Sequence, residues 1–364
     1  MTKPTSLLVA AVKNEGPNIL EWVAHHRLCG FDRIQIYQND SNDMTVQILR
    51  TLARLGIVEY FENHHPKGAH QMRACRRAAR SAAYEASDWC MVLDADEFLA
   101  VKTGDGKVGD LIDACPEDAD AILVNWRVFG SNGHRDLGRE LVTERYTRAE
   151  PDADIIDSHL TPFKPLFRTS AFRRPGIHLP RDPITEAPLM YNGSGLPEGA
   201  FFRKNWRGYD PSVRAFAQVN HYANRDLASF LLKQARGGGN GVPRVTGEAY
   251  WAQHDRNEEE DLLLAARAPE VWAEMQRLDE MSNGRLLRLR NRAFRQWRIA
   301  LDSLLEQGEM SVLRNAILGA SAKPVPKDSM VTPFRLPTSQ LVFSSVRSRR
   351  DDLPLPENKK AALG

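Results

Sequence analysis

The sequence contains no apolar run of about 18 residues, which is the length that a membrane-spanning helix needs. The four cysteines include no Cys-x-x-Cys pair, so we expect reduced, buried thiols rather than a zinc or redox site. The N-terminal apolar segment ends at Val12 and Lys13 follows at once. Because this segment is too short for a signal peptide, we expect a cytoplasmic location.

The sequence also lacks a strong excess of either charge, since the net charge is only +2. A near-neutral balance gives no reason to expect nucleic acid as the main partner. With 364 residues, of which 42% are hydrophobic, the chain can build one large domain and an appendage. We predict a main domain over residues 1–240, a helical C-terminal region over 241–322, and a tail rich in proline, serine and charge over 323–364.

Strand-like and helix-like segments alternate through the first 126 residues. The segments with the apolar character and length of strands are Ser6–Val12, Arg33–Tyr37, Ile57–Phe61, Trp89–Leu93 and Ala121–Trp126. The segments with helical periodicity are Pro17–Leu28, Met44–Leu55, Ala69–Ala86 and Val108–Ala114. This alternation predicts a Rossmann-like α/β fold, in which a mostly parallel sheet is flanked by helices.

The rest of the chain shows weaker patterning, followed by a return to helix. Residues 130–219 are rich in Gly, Pro, Arg and His, and we interpret them as loops and short strands that cover a site. Helical patterns then predict helices over Glu258–Arg267, Pro269–Glu280 and Gly284–Gln307. The glycine-rich run Gly237–Gly241 is interpreted either as a mobile loop or as a simple flexible turn.

Polar residues follow the predicted strands at the points where these strands end. Lys13-Asn14-Glu15 follows the first strand, Asn39-Asp40 follows the second, and Asp94–Glu97 follows the fourth. In parallel α/β sheets, ligands bind beyond the carboxyl ends of the strands. We therefore expect these clusters to meet at one edge of the sheet and to form a binding site there.

The triplet Asp94-Ala95-Asp96 offers two carboxylates at the end of an apolar strand. Carboxylate oxygens suit Mn²⁺ or Mg²⁺, and such a cation can bridge the diphosphate of a nucleotide and neutralise charge on a leaving phosphate. An acidic pair is common on protein surfaces, and the alternative is a solvated acidic turn. The preceding strand favours the metal interpretation.

The blocks AVKNEGPNILEWVAHHRLCGFDRIQIYQNDSND, SDWCMVLDADEFL and ILVNWRVFGSNGH, in this order, resemble bacterial glycosyltransferases related to family 2, in the branch similar to family 92. The resemblance covers roughly residues 5–240. It implies a GT-A-like fold, a nucleotide-sugar donor and a divalent metal held by Asp94 and Asp96. It further implies that Asn14, Glu15 and Asp40 lie near the nucleoside.

Several of these residues keep a second interpretation. Asp40 can accept a hydrogen bond from uracil N3–H, or it can simply form an Asx turn or helix cap. His221 is a candidate third metal ligand, since neutral imidazole can join two carboxylates, or it is a hydrogen-bonded structural histidine. Lys164, Lys233 and Arg236 are candidates for the diphosphate, or they are ordinary surface charges.

The resemblance also implies an inverting transfer, whose general base is the least defined part of the predicted site. Glu97 directly follows the acidic pair, but it can instead orient a metal ligand. Glu144 can act as the base or merely pair with Arg145. Spacing does not separate these two residues from the further candidates Asp136, Asp182 and Glu186.

The segment Arg285–Arg298 carries six arginines and no acid, together with leucine and aromatic residues. Such a helix can lie as a peripheral contact on an anionic membrane surface, which would place the protein at the inner membrane. The alternative is a helix that packs its apolar side on the domain and leaves its arginines in solvent.

Together these features predict a metal-dependent glycosyltransferase. It would transfer a sugar from a nucleotide-diphosphate donor, expected to be UDP-linked, to a glycan or glycolipid hydroxyl. The alternatives are a nucleotidyltransferase or phosphohydrolase that uses the same acidic site, and a catalytically silent protein that binds nucleotide sugars. The single glycine in Lys13–Pro17 weighs against a nucleotidyltransferase, which carries a glycine-rich loop after its first strand. The sequence gives no indication of the oligomeric state.

Overall fold

A computed structural model describes residues 4–64, 69–152, 161–197, 207–208, 213–237 and 247–320. The strands are β1 Ser6–Val12, β2 Arg33–Gln38, β3 Glu59–Glu62, β4 Trp89–Val92, β5 Glu97–Val101, β6 Ala121–Val128, β7 Arg148–Ala149, β8 Thr161–Arg168, β9 Phe172–Arg174, β10 Arg181–Pro183, β11 Met190–Asn192, β12 Arg207–Gly208, β13 Ala217–His221 and β14 Glu259–Glu260. The helices are α1 Ile19–Leu28, α2 Thr45–Arg54, α3 His70–Ala78, α4 Ala82–Glu85, α5 Val108–Ala114, α6 Val142–Arg145, α7 Leu227–Ala235, α8 Glu248–His254, α9 Ala268–Met281, α10 Arg285–Glu306 and α11 Glu309–Ala320.

Most of the strands form one central sheet with the order β3-β2-β1-β4-β8-β6-β13-β5. The first four of these strands are parallel, as the alternation of strands and helices predicts. β8 runs antiparallel to both of its neighbours, and β5 runs antiparallel to β13. The predicted α/β class with a flanked sheet is confirmed, and the sheet is mixed in its second half.

The two faces of the sheet carry different helices. Leu8, Ala10 and Val12 of β1 belong to the core that includes α1 and α2, whereas Leu7 and Val9 belong to the core that includes α3. This alternation follows from the period of two in a strand, which sends successive side chains to opposite faces. The polar residues that follow β1 and β4 therefore emerge at the edge between two packed layers.

The C-terminal helices pack against the sheet domain. Val271 and Met275 of α9 and Leu286 and Ala293 of α10 share the core of α1 and α2. Further hydrophobic residues of α10 pack with α7, α8 and α11 in a third cluster. In the part of the chain that the structure describes, no helix is both long and apolar enough to cross a membrane.

The region between residues 130 and 219 contains more of the sheet than its sequence indicates. β8 and β13 lie inside the central sheet, between strands from other parts of the chain. Their mixed polar and apolar composition conceals them, since Lys164 is fully buried within β8. The predicted tail over 323–364 and most of the glycine-rich run, residues 238–241, lie outside the described residues.

Two helix predictions need correction. The expected helix Ala69–Ala86 is divided into α3 and α4, because the Ser81 hydroxyl donates to the Ala78 carbonyl and the Ser81 side chain caps α4 at Tyr84 N–H. The expected helix Glu258–Arg267 is wrong over most of its length. β14 pairs there with β7, and only a short 3-10 turn forms over Ala265–Arg267. The Arg127 guanidinium, which pairs with Glu259, holds this segment extended.

Asp43 joins the sheet domain to the C-terminal helices. Its buried carboxylate accepts hydrogen bonds from Gly16 N–H, from Thr45 N–H and from Trp297 Nε1 on α10. These three donors come from the loop after β1, from α2 and from α10. The carboxylate is therefore a single acceptor for three separate elements.

We expect Asp43→Ala to lower the free energy of unfolding by about 3 kcal/mol, because several buried donors lose their charged acceptor. Urea denaturation followed by circular dichroism measures this loss. The matched control is Asp113→Ala at an exposed position of α5, for which we expect a change within about 0.5 kcal/mol. Equal losses in the two variants would contradict this role for Asp43.

Candidate functional site

The turn Asp94–Glu97 between β4 and β5 is held by hydrogen bonds to its backbone. Trp22 Nε1 on α1 donates to the carbonyls of Asp94 and Glu97 at 3.1 and 2.9 Å. The Ala95 carbonyl accepts from Arg225 Nη2 at 3.0 Å. The Asp96 carbonyl accepts from a backbone amide at 2.9 Å. Four carbonyls of this turn are thus fixed, and so is the direction of its carboxylates.

Asp94 belongs to a buried ion cluster around Lys164. The Lys164 ammonium, which is 0% exposed, lies 3.0 Å from Asp94 Oδ2 and 3.1 Å from Glu97 Oε2. Glu97 Oε2 also accepts from Asp94 N–H at 2.8 Å, and Gln71 donates to Asp94 Oδ1. Burial alone would lower the pKa of Lys164, but the Asp94 and Glu97 carboxylates hold that pKa above its ordinary value.

Glu97 is an uncharged group over much of the neutral pH range. Burial raises the pKa of its carboxyl to about 8, against the lowering effect of Lys164. Its Oε1 atom is buried and has no hydrogen-bond partner among the described residues. The side chain lies beneath Asp94 and does not reach solvent. This position suits a group that orients Asp94, which is the second interpretation that its sequence position allows.

Asp96 lies beside a different set of partners. Its carboxylate pairs with the Lys233 ammonium on α7, and it lies 4.0 Å from His221 Nε2. Burial would raise the pKa of Asp96, but Lys233, His221 and Arg225 hold it well below its usual range. Burial lowers the pKa of His221 well below its ordinary value in spite of Asp96. At neutral pH the pair is therefore an aspartate next to a neutral imidazole.

Glu15, at the end of β1, binds two arginines. Its carboxylate accepts from Arg225 at 2.9 Å and from Arg236 at 2.7 Å. Burial would raise the pKa of Glu15, but these two guanidinium groups hold it below its ordinary value. The two arginines come from either end of α7, so Glu15 connects that helix to the sheet.

These groups surround a cleft, which we call the central cleft. Its lining residues are Asn14, Glu15, Asp96, Ala223, Asn224, Arg225, Ser229, Leu232, Lys233, Arg236 and Trp297. The structure thus brings together five residues that the sequence singled out at separate positions, namely Asn14, Glu15, Asp96, Lys233 and Arg236. Asp94, Lys164 and Glu97 form the adjoining ion cluster, in which Lys164 and Glu97 are fully buried and the Asp94 side chain is 26% exposed.

Asn14 and Asp40 share an unusual backbone conformation. Both have positive φ angles, of 51° and 50°, at the ends of β1 and β2. Asn14 is buried, and its Oδ1 accepts from Asn42 N–H at 2.9 Å. Asp40 is half exposed and pairs with His64 at 3.0 Å. The left-handed conformation turns both strand ends sharply, and it is one that asparagine and aspartate tolerate better than most residues.

The remaining base candidates lie outside the central cleft. Glu144 is exposed on α6, where its Oε2 lies 3.4 Å from Trp272 Nε1 of α9. Asp136, Asp182 and Glu186 are also exposed, and Asp182 pairs with Arg174. The structure therefore does not place these four carboxylates among the groups around Asp96.

Three aromatic side chains extend the site beyond His221. The Trp126 ring lies 4.2 Å from the His221 ring and 5.7 Å from the His178 ring, between centroids. His254 of α8 lies 6.2 Å from His221. Sequence analysis proposed no role for Trp126 or His254. Only the fold brings these rings together, because they come from β6 and from α8.

Arg225 is the most important residue that sequence reasoning missed. It has a positive φ of 56°, and its guanidinium joins Glu15 to the Ala95 carbonyl. A signal was present in the following Asp226, a good helix cap, which accepts from Ser229 N–H at the start of α7. That signal places the helix start, and it does not by itself indicate a buried arginine.

Comparison with known proteins shows which family the chain belongs to. The family model described as glycosyltransferase family 92 matches residues 12–226, which is more than half of the chain. The chain belongs to glycosyltransferase family 92. It is therefore a glycosyltransferase, and its mixed sheet flanked by helices is the GT-A-like fold that the sequence blocks suggest. No curated protein matches this glycosyltransferase.

Solved structures of TarS from S. aureus show distant similarity. TarS 1–349 is 11% identical with a TM-score of 0.32, over 87% of this chain and 91% of that one. The same TarS segment in complex with UDP is 13% identical with a TM-score of 0.34, over 90% and 95%. Its complex with UDP-GlcNAc is 12% identical with a TM-score of 0.34, over 87% and 92%.

The raised pKa of Glu97 predicts a pH effect on the stability of the glycosyltransferase. The folded protein keeps the Glu97 proton up to about pH 8, whereas the unfolded chain releases it near its ordinary pKa of 4.5. The contribution of this group to stability is therefore present at low pH and is lost as pH rises between these values. We expect Glu97→Gln to lose less stability than the wild type between about pH 5 and about pH 8. Urea denaturation measures both, and parallel profiles would contradict the prediction.

We expect Lys164→Met to lower the free energy of unfolding by about 3–5 kcal/mol, because Asp94 and Glu97 lose their buried counter-ion. The double variant Lys164→Met/Asp94→Asn should recover part of that loss, since the carboxylate that pairs with Lys164 is then absent. Chemical denaturation measures both variants. A loss below about 1 kcal/mol in the single variant would show that the cluster is not an important source of stability.

Proposed function

We propose that this glycosyltransferase transfers a sugar from a nucleoside-diphosphate donor to a glycan or glycolipid hydroxyl, with inversion, and that the donor is UDP-linked. The central cleft would be the donor site. The observation that carries this proposal is the meeting of Asn14 and Glu15 from the end of β1 with Asp96 from the β4–β5 turn and Lys233 from α7. Ligands of open α/β sheets bind at such an edge.

The charges around the cleft support a diphosphate ligand together with a cation. The carboxylates of Glu15, Asp94 and Asp96 face four cationic partners, namely Lys164, Arg225, Lys233 and Arg236, whereas Glu97 keeps its proton up to about pH 8. These groups carry one net positive charge without a ligand, so most of the negative charge of a diphosphate still needs compensation. A divalent cation supplies it, and the partly exposed Lys233 and Arg236 are placed to contact phosphate oxygens.

The residues present fit a divalent cation at Asp96. The described part of the chain has no group of three or more His, Cys, Asp or Glu side chains able to hold a metal ion. Mg²⁺, however, commonly binds through one or two carboxylates and the phosphates of the substrate. Asp96 and the neutral His221 would hold Mn²⁺ or Mg²⁺ together with the phosphates of the donor, and Asp94, which pairs with Lys164, stays a predicted further ligand. The ion would neutralise charge on the leaving diphosphate.

The nucleoside end of the donor would lie toward β1 and β2. Asn14 lines the central cleft, and Asp40 turns out of the neighbouring strand end with half of its side chain exposed. An exposed carboxylate can accept a hydrogen bond from uracil N3–H. The His64 contact of Asp40 would then be exchanged for the base. This arrangement supports UDP as the nucleotide.

We propose that the general base is either Glu97 or Glu144. The buried position of Glu97 below Asp94 favours a positioning role, in which Glu97 holds Asp94 through its backbone amide. Glu144 is exposed, but it lies beside Trp272 rather than in the central cleft. A base must reach the acceptor hydroxyl, directly or through one water. Glu97→Gln and Glu144→Gln therefore separate the two roles by their effects on turnover at saturating donor.

We expect UDP to bind at least about tenfold more tightly with Mn²⁺ than with EDTA, which corresponds to ~1.4 kcal/mol. Asp96→Asn should remove most of this difference, because it removes the carboxylate beside His221. Isothermal titration calorimetry measures both affinities. Asp113→Asn, at an exposed site on α5, is the control and should bind as the wild type does.

If Asp96→Asn keeps the full metal effect on UDP binding, the donor-site assignment fails. Release of UDP from a panel of UDP-sugars, measured with Mn²⁺, then identifies the donor sugar. Tight UDP binding without release of UDP from any donor, with or without sugar acceptors, would instead favour a silent protein that binds nucleotide sugars.

A further inference from the structure

Helix α10 has two faces with opposite character. Its inner face packs into the core through Leu286, Ala293 and Trp297, and Trp297 lines the central cleft. The outer face of its first four turns carries arginines at helical spacing and one exposed isoleucine. We define the arginine face as Arg288, Arg292, Arg295, Arg298 and Ile299.

The position of these arginines in the helix is electrostatically unfavourable. The first turn of α10 contains Arg285 and Arg288 and no acidic residue. Because the N-terminus of a helix carries partial positive charge, cations there destabilise the helix. Asp279 accepts from Leu287 N–H at 2.9 Å and offsets part of this charge. Residues that violate such a local electrostatic preference, here arginines in the first turn of a helix, are expected at functional sites.

Neighbouring elements add to the positive charge at this end of α10. Arg285 Nε lies 3.3 Å from Thr51 Oγ1, and Trp297 Nε1 lies 3.2 Å from Asp43, so α2 runs antiparallel to α10. The exposed Arg54 at the end of α2 therefore lies near the start of α10. The acids on the same side of α10 come later, at Asp302 and Glu306.

Ile299 distinguishes this surface from a simple patch of charge. Its side chain is 55% exposed, although isoleucine is among the residues most often buried. On a helical wheel it falls between Arg292 and Arg295, within the row of arginines. The arginines of the face precede Ile299 and the exposed Asp302 follows it one turn later. An apolar side chain next to several cations fits the boundary between lipid headgroups and acyl chains. A soluble polyanion would gain no binding free energy from contact with the Ile299 side chain.

We propose that the arginine face docks on an anionic lipid bilayer, with Ile299 entering the headgroup region and the arginines bound to lipid phosphates. The inference is independent of the donor proposed for the central cleft. Each arginine near an anionic surface contributes ~1 kcal/mol, which is about a fivefold factor in the binding constant. Salt weakens the attraction, because exposed charges are screened beyond about 10 Å at 0.1 M ionic strength.

The test is co-sedimentation of the full chain with vesicles of phosphatidylcholine, with and without phosphatidylglycerol. The wild type should bind only the anionic vesicles, and less as salt is added. Arg295→Glu/Arg298→Glu should weaken this binding at least about 25-fold, from two fivefold factors. These two arginines are exposed on the outer face of α10, so the exchange should leave the fold intact, and circular dichroism checks this.

The matched control is Arg73→Glu/Arg76→Glu. Both of these arginines are exposed on α3, which packs on the other face of the sheet. The control changes the net charge equally and should bind anionic vesicles almost as the wild type does. UDP affinity, measured in parallel, should be unchanged in both double variants, which separates this inference from the donor-site proposal.

A third variant, Ile299→Ser, decides between a bilayer and a polyanion. It should weaken binding to anionic vesicles several-fold and leave binding to heparin, a soluble polyanion, unchanged. The proposal is overturned if the wild type does not bind anionic vesicles. It is equally overturned if the α3 double variant loses as much vesicle binding as the α10 double variant. It is also overturned if Ile299→Ser binds vesicles as the wild type does, since the surface would then recognise charge alone.

Discussion

The ammonium group of Lys164 is the centre on which the candidate site depends. It lies in the middle of a sheet strand with no exposure, and it is stable there only because Asp94 and Glu97 surround it. A buried charge without partners is very costly, so the lysine and the two acids require one another. This mutual requirement holds the turn between β4 and β5 against β8, which is an antiparallel strand from a distant part of the chain.

The position of this β4–β5 turn also determines where the central cleft can form. Trp22 from α1 and Arg225 from the start of α7 bind its carbonyls, so one short turn connects three elements. Asp96 is then left facing the cleft beside Lys233 and His221. The same segment thus gives its two carboxylates different partners: Asp94 pairs with the fully buried Lys164, and Asp96 pairs with the partly exposed Lys233.

Much of this arrangement could be predicted from the sequence, and the reasons for the rest are physical. β1 and α5 were predicted to the residue, because β1 is an apolar run bounded by Thr5 and Lys13, and α5 ends just before Cys115-Pro116, where a proline stops the helix. β8 was missed, because a buried lysine and two prolines hide a strand in the core. Arg225 was missed, because its role arises only when the start of α7 meets β1 and the turn. Local patterns cannot reveal such long-range ion pairs.

The position of α10 has a consequence for the acceptor. This helix is one wall of the central cleft, and its other side is the arginine face, so the distance between the two is about the diameter of a helix, ~10 Å. With the arginine face resting on a bilayer, as proposed, the helix would act as a spacer between the lipid plane and the proposed donor site. An acceptor attached to a lipid would then be sampled by diffusion in two dimensions, and only its first few sugars would reach the catalytic groups.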